Sequence, residues 1–332
     1  MRSSHLCVML AFAAACGPGA STTPRAPVTN QPVEPSRTAR PRLSLDGALA
    51  MMPKDTELVL ELDVKRLRGS VLWERIEPWL RAQGGEVLGE ITQLCDFDPV
   101  ATLDTLLLGA KGFGRPEIDA TMFVRGFDQA ATTVCFERAA DAARARGDDN
   151  TLRVDSDYLE LREGGAATLG LAFVDAETLL VVSRQGNMTD RAAVEEARAR
   201  RRDDGLTGSP MFRQVLDRVD TRATAWFAVN GNAPLFAAMP YAVRSLRAEL
   251  HTSADPARAL VGTLVIEVGA GGDAGSLAQM FQMGLDTLRG GPYDDLARAL
   301  SVTAEGADVV VDVRFDLAQL ERLVAMFGPL MP

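Results

Sequence analysis

The chain has 332 residues, with 35 Lys and Arg against 45 Asp and Glu, a formal net charge of −10. That balance makes nucleic acid a poor partner, because phosphate neutralisation supplies most non-specific affinity, and no nucleic-acid binding is expected. Two histidines and four cysteines leave too few ligands for a multi-histidine zinc or copper centre, and there is no C-x-x-C; no metal or cofactor is expected.

In chain order, residues 1–15 begin with a short charged start at Arg2. An apolar run from Leu6 to Ala15 follows, about half of the roughly 20 residues a bilayer-crossing helix needs. It ends in Ala13-Ala14-Ala15 directly before Cys16. This resembles a bacterial lipoprotein signal peptide, whose cysteine is acylated and becomes the mature N-terminus. Ala13 stands where such signals most often carry leucine. The resemblance implies a membrane anchor at Cys16 and a cell-envelope address. Gly17, in place of Asp, resembles lipoproteins forwarded to an outer membrane, facing the periplasm or the surface. The alternative is ordinary cleavage after Ala-x-Ala, with Cys16 a plain residue.

Residues 16–42 form the next unit. Prolines stand at 18, 24, 27, 32, 35 and 41, no apolar periodicity appears, and such a stretch cannot bury a core. It reads as a disordered tether spanning on the order of 30 Å as a coil. Its arginines at 25, 37, 40 and 42 are either solvated or in reach of anionic head groups. Without the signal the net charge becomes 34 − 45 = −11. Cys7 leaves with the signal, so Cys95 and Cys135 remain, either as a disulfide or as two separately buried thiols. A bridge would close a loop of about forty residues, with about 4 kcal/mol of stabilisation on the chain-entropy account.

From residue 43 onward apolar periodicity alternates between two and 3.6. The pattern predicts strands at 58–64, 105–110, 119–125, 158–162, 168–174, 178–183, 223–229, 259–268, 299–304 and 309–315. Helices are predicted at 67–83, 86–94, 128–146, 189–202, 210–219, 234–250, 276–288 and 317–327. An echo recurs: Phe123-Val124-Arg125-Gly126-Phe127-Asp128 and Val313-Arg314-Phe315-Asp316 each run from a strand into a helix. Asp128 and Asp316 suit the free N–H groups of a first helical turn. These features predict an α+β fold with mainly antiparallel sheets, helices packed on one face, and a duplicated unit. The halves are placed at 43–205 and 206–332. Val309, Val311 and Val313 alternate with Asp308, Asp312 and Arg314, as on a sheet with one wet face.

Met52-Pro53-Lys54-Asp55-Thr56-Glu57-Leu58-Val59-Leu60, followed by Asp63 and Leu67-Arg68, is similar to the opening of uncharacterised bacterial lipoproteins. Leu180-Val181-Val182-Ser183, Ser209-Pro210-Met211-Phe212 and Ala225-Trp226-Phe227 continue the likeness. It implies an exported α+β domain of unknown function and carries over no catalytic residue.

Few constellations offer chemistry. Gly269-Ala270-Gly271-Gly272-Asp273-Ala274 follows a predicted strand and matches the dinucleotide fingerprint. Asp273 would oppose a pyrophosphate, and no acidic strand end follows at the usual distance, so a strand-to-helix turn is the better reading. His251 is the one histidine left after the signal, and it reads as exposed and polar. Asp148, Asp149, Asn150, Asp155 and Asp157 form a weak all-oxygen calcium candidate whose spacing departs from an EF-hand. Met280, Phe281 and Met283 read as core packing.

The expectation is a non-enzymatic, lipid-anchored envelope protein that binds another envelope protein or an apolar ligand. The alternatives are a carrier of lipid or another small apolar molecule, and a histidine-independent envelope hydrolase. A carrier needs a continuous apolar cavity, an enzyme a cleft with a raised carboxylate, and a binding body an exposed apolar patch.

Overall fold

The computed structural model describes residues 42–112, 118–147, 151–155, 157–163, 166–184, 187–188, 191–237, 242–291 and 293–327. The predicted signal, Cys16, nearly all of the predicted tether and Asp148 to Asn150 lie outside them.

The body opens with α1 (Leu45–Met51), capped by the Ser44 hydroxyl, then β1 (Leu58–Asp63). Next come α2 (Val64–Arg68), α3 (Trp73–Cys95) and α4 (Pro99–Thr102). Strands β2 (Thr105–Lys111) and β3 (Asp119–Arg125) lead to α5 (Gln129–Arg146). Four strands return: β4 (Thr151–Asp155), β5 (Tyr158–Glu163), β6 (Ala166–Phe173) and β7 (Thr178–Arg184), with β8 (Asn187–Met188) as a short addition. After α6 (Arg191–Ala199) and α7 (Pro210–Leu216) come β9 (Ala225–Asn230), β10 (Val243–Thr252) and β11 (Leu260–Val268). The chain then runs through α8 (Ala274–Leu288), α9 (Asp294–Arg298), β12 (Leu300–Glu305), β13 (Asp308–Phe315) and α10 (Leu317–Phe327).

All thirteen strands join one antiparallel sheet in the order β12-β13-β11-β10-β9-β1-β2-β3-β7-β6-β5-β4, with β8 on β7. The fold is therefore α+β with an antiparallel sheet, as the switching periodicity predicts, with helices on both faces of the sheet where one was expected. Alternation divides each strand between two faces. Leu58 and Leu62 of β1, Met122 of β3, and Leu179 and Val181 of β7 lie on one face beneath α3, α5 and α8. On the opposite face, Val59, Leu107, Phe123, Leu180 and Trp226 pack under the shorter α1, α6 and α7. That second helical layer stops short of β11, β13 and β12, where Thr263, Asp312, Ser301 and Glu305 leave the sheet wet.

Each half is a three-strand meander, a helix, and returning strands whose last member pairs with the third of the meander. Four strands return in the first half and two in the second, so a duplicated unit is not shown. The sheet is continuous across the halves because β1 pairs β9 from Leu58↔Val229 to Leu62↔Ala225. The 205/206 junction itself is buried. Leu206 N–H donates to the Met52 carbonyl at 3.0 Å, and a Cβ on Gly205 would fall 2.0 Å from the Ala50 carbonyl oxygen.

Three expectations need correction. The predicted helix 234–250 is a single 3-10 turn at Pro234–Phe236 followed, from Val243, by β10. Ala, Leu, Arg and Glu at helical spacings favoured a helix, but ladders to both β9 and β11 override that propensity. On this strand Arg247 is buried beside Asp308 at 3.4 Å. The predicted helix 67–83 begins only at Trp73, because Val64–Arg68 forms the separate α2, while the predicted break before 86–94 is present at the non-helical Gly85, with φ 42° and ψ −131°. Finally, Met280, Phe281 and Met283 are exposed rather than core.

Candidate functional site

The Pro53-to-Thr56 turn lines a pocket of about 230 Å³. Thr56 fixes the turn by donating from N–H and hydroxyl to the Pro53 carbonyl, at 3.1 and 2.7 Å. The end of β2, the start of β3, the end of β7 and the last turn of α6 complete the walls. Gly109 is required here: a Cβ would lie 2.5 Å from the Met52 sulfur, so its absence lets Met52 lie flat on the sheet.

The polar lining is already paired. Glu196 takes Arg184 at 2.5 Å and Arg200 at 3.2 Å, and Lys111 bonds Asp55. The Arg184 hydrogen bond holds the Glu196 carboxyl below its usual range, and the Asp55 carboxylate raises Lys111. Both shifts move the groups away from neutrality. The pocket can present donors and acceptors to a small polar ligand, but these pairs do not exchange protons near pH 7.

A second pocket of about 410 Å³ is lined by Arg153, Val154, Tyr158, Glu160 and Arg191. Tyr158 and Glu160 are buried, and the Arg191 guanidinium sits 5.5 Å from the Tyr158 ring centroid. Among the described residues Glu61 is the acid whose pKa is raised, and it lines neither pocket. Burial raises it, while the Trp226 indole N–H, donating at 2.8 Å, and the Arg125 charge act the other way.

Cys95, at the end of α3, and Cys135, in α5, are joined as a disulfide with Cα atoms 4.3 Å apart, packed with Ile91. Asp128 accepts from Ala131 N–H at 2.8 Å. Asp316 accepts from Gln319 N–H at 2.7 Å, and the Gln319 amide oxygen accepts the Asp316 N–H in return, a reciprocal capping box. Asp273 does the same work for α8, accepting from Gly275 N–H and Ser276 hydroxyl at 2.9 and 2.6 Å. The Gly269-to-Ala274 segment is thus a capped turn that sets a carboxylate where a dinucleotide phosphate would sit. His251 is exposed on β10. Asp157 of the calcium candidate is engaged by Arg198 at 3.2 Å, and no metal-holding cluster of three or more His, Cys, Asp or Glu occurs among the described residues. No described helix is long and apolar enough to cross a membrane.

Sequence reasoning missed Arg184, Glu196 and Arg200 as a group, because α6 and β7 meet only in the fold. It also missed the clamp on the body's first residues. The Asp175 carboxylate accepts Leu43 N–H at 2.7 Å, and the Arg125 guanidinium donates to the Leu43 carbonyl at 2.5 Å. Burial alone would raise Asp175, but bonds from Leu43, Glu177 and Thr178 outweigh it and hold the carboxyl low.

Compared with protein families, curated proteins and solved structures, the chain has no match.

Proposed function

We propose that this is a lipid-anchored cell-envelope protein, akin to the uncharacterised lipoproteins with an exported α+β domain, whose body binds rather than catalyses. The observation that carries the non-catalytic reading is the pairing in the charged pocket. Its carboxylates are tied to Arg184, Arg200 and Lys111, and the raised carboxyl, Glu61, lies elsewhere under Trp226. The anchor reading is supported by the leader-like run ending at Cys16 and the proline-rich stretch behind it. Charged linings lend no support to an apolar carrier, whereas apolar side chains exposed on α8 suit a binding body. Cross-linking in intact cells, followed by purification of the chain, should retain a defined partner or small polar ligand. Turnover of cell-wall material by the purified protein, lost on Glu196→Gln, would overturn the non-catalytic reading.

A further inference from the structure

We propose that the distal half of α8, with the loop after it, docks on the bilayer that holds the acylated Cys16. This rests on the anchor reading above and adds a second, non-covalent membrane contact made by the folded body.

Helix α8 is apolar over far more of its circumference than the sheet covers. Gln279, Gln282 and Asp286 share one side, while Leu277, Phe281, Leu285 and Leu288 fall on a single stripe by their spacing, with Met280, Gly284 and Met283 continuing the apolar arc. Only the first turns are buried, through Ala274, Leu277 and Ala278 against Ile266, Val268 and Val309. Beyond them Met280, Phe281, Met283 and Leu288 are exposed, Met283 at 55%, and Tyr293 is exposed in the following loop. An aromatic with a polar tip beside flexible apolar side chains suits the headgroup–acyl boundary, where such helices lie about 5–10 Å deep.

The strand register places this surface at the end of the sheet where the tether joins. Thr105 pairs Arg125 and Asp63, Asp63 N–H donates to the Thr224 carbonyl, the Thr224 hydroxyl bonds that of Thr252, and Leu260 pairs both Thr252 and Phe315. These residues mark one end of the sheet, and Leu43 is clamped there by Arg125. Helix α8 starts at the opposite end, just after Val268, and runs toward this one. It is followed by α9, whose Leu296 packs with Leu300 and Phe315. Between β3 and β12 lie seven strand spacings of about 4.8 Å, about 34 Å in all. The 26 residues from 17 to 42 are enough chain to reach at most about 90 Å, so the exposed end of α8 stands within reach of the anchored surface. That geometry favours lipid over a diffusing protein partner as the occupant.

The test uses the full-length chain, acylation first verified by mass, in vesicles of phosphatidylethanolamine and phosphatidylglycerol with brominated acyl chains. A bimane probe is attached through Met283→Cys, and separately through Glu305→Cys at the opposite end of the same sheet edge. The 283 probe should lose most of its emission to brominated lipid while the 305 probe keeps its own. Met280→Gln with Phe281→Gln should restore emission at 283 without lowering the thermal midpoint. Equal quenching at both positions, or none at 283, overturns docking and leaves the anchor intact. Shielding of 283 from a water-soluble quencher without lipid quenching means that protein covers the stripe, which also overturns docking. A Cys16 without an acyl group overturns both readings before any vesicle is made.

Discussion

Glu61 is, among the described residues, the carboxyl that burial pushes above its ordinary range. It lies under Trp226 on the face covered by α1, α6 and α7, and burial raises its carboxyl despite the indole hydrogen bond and Arg125. A folded-state pKa above the unfolded one means that protonation favours the fold. That stabilisation is complete below the unfolded value and is lost as pH rises through the folded one. Glu61→Gln keeps an oxygen to accept from Trp226 and removes the ionisation. The variant should match the parent chain in acid and surpass it at neutral pH, as read from denaturant midpoints across pH. Identical midpoints at neutral pH would mean that burial of Glu61 carries no such cost.

At the scale of elements, the Cys95–Cys135 bridge fastens the end of α3 to α5 across 40 residues of sequence. Replacing both cysteines by alanine should lower the unfolding free energy by about 4 kcal/mol on the chain-entropy account, measured under oxidising conditions. A variant as stable as the parent would mean that α3 and α5 are held by packing alone. Caps and strands were largely legible in the sequence because their causes are local. Asp128 and Asp316 precede helical periodicity by one residue, and Val309, Val311 and Val313 alternate cleanly. β10 was illegible for the opposite reason: Arg247 and Glu249 sit on a strand flanked by two others, so charge at those positions mimicked a solvated helix. The exposure of Met280 and Phe281 was hidden too, since a sequence shows an apolar stripe but not where the sheet beneath it ends.

Over the whole molecule, one antiparallel sheet runs through both halves and carries helices on both faces. The junction read as a boundary at 205/206 is packed against α1, with Leu206 inside the same cluster as Val59, Leu180 and Trp226. Composition suggests a boundary there because Arg201, Arg202, Asp203, Asp204 and Gly205 are polar or small, and the fold uses Gly205 for close approach to Ala50. The charged pocket is a product of this scale. Asp55, Lys111 and the Arg184–Glu196 pair are far apart in sequence, so no local pattern marks the pocket. The proposed anchor is a different matter, since its whole support is the sequence of residues 1–42. The account places a binding body on a tether from an acylated Cys16, and the intact mass of the protein isolated from its native membrane tests this most directly. It predicts a mature N-terminus at Cys16 carrying diacylglyceryl and further acyl mass; an unmodified cysteine there, or a chain that still begins at Met1, would contradict it.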